Sequence, residues 1–93
     1  MYKIAFSGSF KKEFIKLTGR NMLLQKRIDK SVEILRSDPF HPGLKSHVVD
    51  KDSVLGNIWS SRVTGDIRIL WALDPFENLV LILIKIGGHD EVY

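Results

Sequence analysis

The sequence has 93 residues, of which 44% are hydrophobic and 27% are charged, and it contains no cysteine. These proportions are typical of a soluble globular protein, and the lack of cysteine excludes disulfides, thiolate metal sites and a cysteine nucleophile. We expect one domain over residues 1–93, in the cytoplasm, because no apolar run is long enough for a signal peptide or a membrane span.

The net charge of +3 is unevenly distributed along the chain. Residues 1–36 hold nine Lys or Arg against three acidic residues, whereas residues 37–93 hold five against eight. A basic half indicates an electrostatic partner such as nucleic acid. A solvated helix face accounts for the same charges, so charge alone does not decide between the two interpretations.

Strict alternation of apolar residues predicts a strand over residues 2–7, followed by a helix that Ser9 caps. That helix ends near Thr18 and Gly19. A second amphipathic helix is predicted over Met22–Arg36. The apolar stripes of the two helices consist of Phe10, Phe14 and Leu17, and of Leu24, Ile28, Val32 and Leu35. Two such helices in succession predict a helical hairpin packed on the core face of a sheet.

An irregular segment follows Pro39 and extends to Asn57, with a short extended piece at residues 44–49. Its acidic residues lack the spacing of a calcium loop, and the three histidines of the chain lack zinc-ligand spacing. We therefore expect no metal site and no cofactor.

The last 38 residues predict a three-stranded antiparallel meander, with strands at Ile58–Val63, Ile67–Leu73 and Leu79–Ile86. A three-residue loop at residues 64–66 would place Val63 opposite Ile67 and Arg62 opposite Arg68. A four-residue second loop would place Asp74 opposite Leu79 and Arg68 opposite Lys85.

This register divides the strands into two faces. The core face would carry Trp59, Val63, Ile67, Ile69, Trp71, Leu73, Val80, Ile82, Ile84 and Ile86. The opposite face would carry Arg62, Arg68 and Lys85 at one end, with Leu70, Ala72, Leu81 and Leu83 beyond them.

The row of three cations indicates an anion site, because like charges directly opposite each other destabilise a sheet and a bound phosphate offsets their repulsion. Two arrangements without an anion are also compatible with the pattern. The register can slip by one residue, or Asp66, Asp90 and Glu91 can form salt bridges with the cations.

The ending Gly87–Tyr93 places a histidine, His89, four residues after Lys85, and Tyr93 follows. An imidazole and a phenol beside cations suit general acid–base chemistry on RNA. In that reaction a ribose 2′-OH attacks the adjacent phosphorus, and no metal is required.

The element order, the stretch Trp59–Trp71 and the ending Ile86–Tyr93 resemble the RelE/ParE toxin superfamily, most closely its YafQ-like, RelE-type mRNA interferases. The resemblance implies an α+β fold in which two N-terminal helices pack on a mostly antiparallel four-stranded sheet. It also implies a toxin of a type II toxin–antitoxin system that cleaves mRNA on the ribosome.

By this resemblance the catalytic residues would be His89, Tyr93, Arg68, His47, Lys85 and Asp66. The register argument adds Arg62 as a phosphate ligand. Lys45 and Lys51 would partly fill the role of the lysines on which RelE itself relies.

The implied partners are a cognate antitoxin, the ribosome and mRNA, with no membrane. We expect the antitoxin to cover the exposed patch that contains Leu70, Leu81 and Leu83. A ParE-like inhibitor of gyrase and a non-catalytic basic module that binds RNA or protein remain alternatives.

Overall fold

The computed structural model describes residues 1–77, 79–88 and 92. His89 and Tyr93 lie outside the described residues, as do Asn78, Asp90 and Glu91. The elements are β1 (Lys3–Phe6), α1 (Gly8–Thr18), α2 (Met22–Ser37), a 3-10 turn (Pro42–Leu44), β2 (His47–Asp52), β3 (Gly56–Arg62), β4 (Ile67–Leu73) and β5 (Val80–Gly88).

The five strands form one sheet in the order β1-β5-β4-β3-β2. β1 runs parallel to β5, and every other neighbouring pair is antiparallel. The helices pack on one face of this sheet, where Phe10, Ile28 and Leu35 meet Ile69 and Trp71. The predicted α+β class is therefore confirmed. The predicted count of four strands is wrong, because the extended piece expected at residues 44–49 begins at His47 and pairs with β3.

α1 begins earlier than expected. The helix cap is Ser7 instead of Ser9, and its hydroxyl accepts the Phe10 N–H at 3.0 Å. The same hydroxyl donates to the Ile84 carbonyl at 2.6 Å, and the Glu13 carboxylate accepts the Ile86 N–H at 3.2 Å. β1 pairs with β5 only as far as Leu83. α1 therefore satisfies backbone groups that β5 exposes beyond the end of β1.

The predicted register of β3 and β4 is confirmed. Trp59 lies opposite Trp71, and Arg62 lies opposite Arg68. The Val63 N–H donates to the Ile67 carbonyl at 2.9 Å, which closes the loop at residues 64–66. A short loop between two strands fixes their pairing locally, and this is why the sequence alone sufficed here.

The predicted register of β4 and β5 is wrong. Arg68 lies opposite Gly87, and Lys85 lies opposite Leu70, with an irregularity between Leu70 and Trp71. Such a bulge sets two residues of one strand against one residue of the other, so it changes which side chains of β5 face the helices. The register also differs next to the loop, where Leu73 lies opposite Leu81 and not opposite Val80 as predicted.

The pairing next to the second loop overturns the predicted apolar patch. The Asp74 N–H donates to the Val80 carbonyl at 2.9 Å, and Leu73 lies opposite Leu81, one residue further along β5 than predicted. Leu81 and Leu83 are 0% exposed and belong to the core beneath the helices. Ile82, which was predicted to face the core, instead pairs with Ala72 on the opposite face. Leu70 and Ala72 do lie on that face, but both are buried. These leucines therefore form no exposed patch for an antitoxin.

Across the described ranges, no helix combines the length and the apolar character that crossing a membrane requires.

We predict that Leu83→Ala lowers the free energy of unfolding by about 2–5 kcal/mol, because it opens a cavity at a fully buried position. Leu23→Ala is the matched control, since Leu23 is 68% exposed on α2 and its loss should change stability little. Urea denaturation of both variants measures the difference. If the two variants lost the same free energy of unfolding, Leu83 would be exposed, as the sequence predicted, and its assignment to the core would be wrong.

The hairpin between β2 and β3 generates a second prediction. Asp52 Oδ2 accepts the N–H groups of Val54 at 2.9 Å and Leu55 at 2.8 Å. The hydrogen bond from Leu55, and then that from Val54, lowers the pKa of Asp52 below its ordinary value. A lowered pKa in the folded state stabilises the protein at pH values above the unfolded pKa of about 3.9.

We predict that wild type is more stable than Asp52→Asn at neutral pH and that this difference disappears as the pH falls through the folded pKa of Asp52. The amide keeps an acceptor for the same N–H groups, so the comparison isolates the charge. Unfolding curves recorded between about pH 7 and pH 2 test this expectation. A difference that stays constant over the whole range would contradict it.

Candidate functional site

Two arginines face each other on the surface of the sheet that lies opposite the helices. Arg62 of β3 pairs directly with Arg68 of β4, and Arg68 pairs in turn with Gly87 of β5. Directly opposed residues have Cβ atoms about 4.5–5.5 Å apart. Gly87 has no side chain, so β5 places no side chain directly beside Arg68 at this position.

A second row lies two residues along each strand on the same face. His47 of β2 pairs with Ser60, Ser60 pairs with Leu70, and Leu70 pairs with Lys85. Residues two apart on a strand are about 6.6–6.8 Å apart. His47 is therefore the diagonal neighbour of Arg62, and Lys85 is the diagonal neighbour of Arg68.

The two rows place an imidazole and three cations in an arc around Leu70. His47, Arg62 and Lys85 are exposed, while Arg68 is half-buried. Three strand spacings, or about 14 Å, separate the strand positions of His47 and Lys85. The sequence predicted Lys85 directly beside Arg68. The structure places it one step along the diagonal, still within the arc.

The ring of His47 is oriented by the loop that precedes β2. Nδ1 lies 3.0 Å from the carbonyl oxygen of Lys45, and a carbonyl can only accept. Nδ1 therefore carries the proton in the neutral ring, and Nε2 holds the lone pair on the other side of the ring. Lys45 itself has a left-handed backbone, with φ 49°, at the end of the 3-10 turn. The arrangement leaves Nε2 able to accept a proton.

Arg68 is tied to the loop between β3 and β4. Its Nη1 donates to the Thr64 carbonyl at 2.7 Å and to the Ile67 carbonyl at 3.2 Å. A guanidinium carries five N–H donors, so others remain for a ligand. The tether holds the charge at a fixed position, which favours binding because little side-chain freedom is then lost.

Asp66 and Lys51 have different places relative to the arc. Asp66 is exposed in the loop at residues 64–66, at the end of the sheet where Arg62 and Arg68 lie. Lys51 pairs with Asn57, which lies on the same side of β3 as Trp59. Lys51 is thus directed to the helix side of the sheet, and the structure does not bring it together with His47.

Val92 also lies against the face that carries the arc. It lines a cavity of about 280 Å³ together with Val49, Asp50, Ile58 and Leu70. The predicted residues His89 and Tyr93 lie outside the described residues. Their proposed roles therefore rest on the sequence resemblance.

A chain of hydrogen bonds that sequence reasoning missed holds the start of β2. The Trp71 indole N–H donates to Ser61 Oγ at 2.7 Å, Ser61 and Ser46 hydroxyls are 2.6 Å apart, and Ser46 Oγ donates to the Pro39 carbonyl at 2.7 Å. Because the indole only donates and the carbonyl only accepts, Ser61 must donate to Ser46. Each hydroxyl then accepts one bond and donates one.

This chain fixes the residue immediately before His47. Ser61 is 1% exposed and Trp71 is 0% exposed, so the hydrogen bonds are formed away from water. Two consecutive serines directly after Trp59 are the only signal in the sequence. The partner loop lies 15 residues away along the chain.

We predict that Ser61→Ala lowers the free energy of unfolding by about 1–3 kcal/mol, because the indole N–H loses its acceptor in a buried site. Ser53→Ala is the control, since Ser53 is exposed in the loop between β2 and β3. Chemical denaturation measures both variants. A cost for Ser61→Ala no larger than that for Ser53→Ala would contradict the assignment.

Comparison with known proteins finds similarity at the level of structure. No protein-family model and no curated protein matches the sequence. A metal-bound toxin from Helicobacter pylori superposes with a TM-score of 0.79 at 24% identity, with 100% of each chain covered. In the described part of the present chain, no cluster of three or more His, Asp or Glu residues is placed to hold a metal ion.

Two further structures show the same architecture. A YoeB/ParE toxin from Agrobacterium tumefaciens has a TM-score of 0.77 at 17% identity, covering 94% of this chain and 98% of its own. The Escherichia coli DinJ–YafQ toxin–antitoxin complex has a TM-score of 0.75 at 17% identity, covering 99% of this chain and 97% of the matched one. The resemblance inferred from the sequence is confirmed for the fold, and this chain has the fold of the RelE-type toxins of the RelE/ParE superfamily.

Proposed function

We propose that this protein is the toxin of a toxin–antitoxin pair and acts as an endoribonuclease that cleaves mRNA on the ribosome by 2′-OH attack. The observation that carries the proposal is the direct pairing of Arg62 with Arg68 on the face of the sheet opposite the helices. Directly opposed like charges destabilise a sheet by up to about 1 kcal/mol. A phosphate bound between the two guanidinium groups would remove this repulsion and form paired, charge-assisted hydrogen bonds.

The reaction requires one proton acceptor, one proton donor and positive charge around the phosphate. The ribose 2′-oxygen forms a bond to the adjacent phosphorus while its proton moves to a base, and the bond from phosphorus to the 5′-oxygen breaks as that oxygen receives a proton. The products are a 2′,3′-cyclic phosphate and a 5′-hydroxyl. Acid–base groups typically contribute about 10²–10⁴-fold to such rates.

The arc of residues supplies several of these roles. Arg62 and Arg68 would bind the phosphate oxygens, and Lys85 would add charge from the neighbouring row. Nε2 of His47 would accept the 2′ proton, since Nδ1 carries the ring proton next to the Lys45 carbonyl. In this proposal, His89 protonates the 5′-oxygen and Tyr93 stacks on or orients the nucleotide, as the resemblance implies.

The proposed partners follow from the fold and its relatives. The DinJ–YafQ structure is a toxin–antitoxin complex, and we extend that type of partner to this chain. The ribosome would present the mRNA, and the proposed site of action is the cytoplasm. The leucines predicted for the antitoxin interface are buried, so an antitoxin would contact other parts of the surface.

We predict that Arg62→Gln and His47→Gln each reduce mRNA cleavage at least tenfold, because one removes a phosphate ligand and the other the base. Lys3→Gln is the charge-matched control. Lys3 pairs with Val80 at the other end of β5, away from the arc. Induced expression of each version, with mapping of mRNA 5′ ends, measures the cuts.

Codon-phased cuts that persist in Lys3→Gln and weaken in the other two variants would support the proposal. Cuts of equal strength in all versions would show that neither His47 nor Arg62 takes part in cleavage. Growth arrest with DNA damage and no cuts would contradict the nuclease and favour inhibition of gyrase.

A further inference from the structure

His47 and the residue before it are directed to opposite sides of the sheet. His47 pairs with Ser60 on the face opposite the helices. Val48 pairs with Trp59, which packs against the core on the helix side. Side chains alternate between the two faces of a strand, so Ser46 is directed to the helix side like Val48. The exposed imidazole and the part-buried hydroxyl of Ser46 therefore lie on opposite sides of one short piece of backbone.

The hydroxyl of Ser46 links this backbone to the core. It lies 2.6 Å from Ser61 Oγ, which accepts the indole N–H of Trp71 at 2.7 Å. It also donates to the Pro39 carbonyl at 2.7 Å. Ser61 and Trp71 are buried, and hydrogen bonds away from water are electrostatically stronger than those in water. Ser46 thus has one partner in the core and another in the loop before β2.

The ring of His47 depends on the same piece of backbone. Its Nδ1 lies 3.0 Å from the carbonyl oxygen of Lys45, so the ring and its acceptor belong to the two residues that flank Ser46. Lys45 has a φ of 49°, a left-handed conformation that a residue other than glycine keeps only where the surrounding structure holds it. Its N–H donates to the Pro42 carbonyl at 3.2 Å. A rotation of the backbone at Ser46 would move the ring away from its acceptor.

The exposed ring has little other support. Among the described residues, the Lys45 carbonyl is its one hydrogen-bond partner. We propose that Ser46 is a positioning residue, whose hydroxyl bonds hold the backbone of His47 and of its acceptor, so that Nε2 stays the proton-accepting atom. This inference rests on the proposed function, because it takes His47 as the base for the 2′ proton. A displacement of about 1 Å at reacting atoms can slow a reaction by roughly 100-fold.

The first test is a double-mutant cycle in a cleavage assay with purified protein and ribosomes that carry an mRNA. Ser46→Ala removes the hydroxyl, and Ser46→Thr keeps it. Ser46→Ala is made both in wild type and in His47→Gln. Thr18→Ala is the matched control, because it also removes a hydroxyl hydrogen bond, to the Phe14 carbonyl at 2.7 Å, but at the end of α1.

We expect Ser46→Ala to lower kcat about tenfold with little change in KM, because a misplaced base slows the chemical step and leaves RNA binding intact. Ser46→Thr and Thr18→Ala should stay close to wild type. In His47→Gln, the added Ser46→Ala should cause no further loss, since the hydroxyl acts through the ring. No loss in the wild-type background, or an equal loss in both backgrounds, would overturn the proposal.

The second test observes the ring itself and needs no cleavage. Heteronuclear NMR spectra of the histidine ring nitrogens at alkaline pH show which nitrogen carries the proton, and His47→Gln identifies the signals. Wild type, Ser46→Thr and Thr18→Ala should hold the proton of His47 on Nδ1, whereas Ser46→Ala should exchange between both tautomers. Unchanged His47 signals in Ser46→Ala would overturn the positioning role even if cleavage were lost.

The two tests separate this inference from the proposed function. If wild type does not cut mRNA although Ser46→Ala changes the tautomer of His47, the proposed nuclease is wrong and the support of the ring by Ser46 stands. If wild type cuts mRNA and His47→Gln does not, while Ser46→Ala behaves as wild type in both tests, the nuclease stands and the positioning role is wrong.

Discussion

The bulge in the pairing of β4 with β5 is the constraint on which both faces of this sheet depend. β5 lies between β1 and β4, so its register determines the contacts of three strands. On one side the bulge lets both Leu83 and Ile86 belong to the core beneath the helices, although they are three residues apart on the strand. On the other it places Lys85 beside Leu70 and sets Gly87 opposite Arg68. A single irregularity thus allows Leu83 and Ile86 to face the helices while Lys85 lies on the opposite face.

On the face opposite the helices, hydrogen bonds to backbone carbonyls hold the functional side chains in place. Loop carbonyls hold the guanidinium of Arg68, and the Lys45 carbonyl orients the ring of His47. Beneath the start of β2, the hydroxyls of Ser61 and Ser46 connect the core indole to the preceding loop. Groups that are held before a ligand arrives lose less freedom on binding, which is the requirement for a site that acts on charge.

The sequence predicted the parts of this structure that local chemistry determines. The length of the loop at residues 64–66 predicted the pairing of Arg62 with Arg68. The spacing of apolar residues predicted both helices. The second loop differs from the prediction, because Asp74 bonds to Val80, and this pairing places Leu81 and Leu83 in the core. The bulge that follows is an irregularity of pairing, which the alternation of residue types in the sequence does not reveal. The contact of Ser46 with Ser61 also required the folded chain. The roles of His89 and Tyr93 remain predictions from the resemblance.

The parallel pairing of β1 with β5 has a consequence for synthesis of the chain. Ser7 and Ile84, which its hydroxyl contacts, are 77 residues apart. At about 5–20 residues per second, roughly 4–15 s pass between the appearance of the two segments. During that time β1 lacks its partner strand, and the ordering of so long a loop also slows folding. Completion of the sheet is therefore among the last events, and a nascent copy has neither Lys85 nor the β5 partner of Arg68 until β5 itself has left the ribosome.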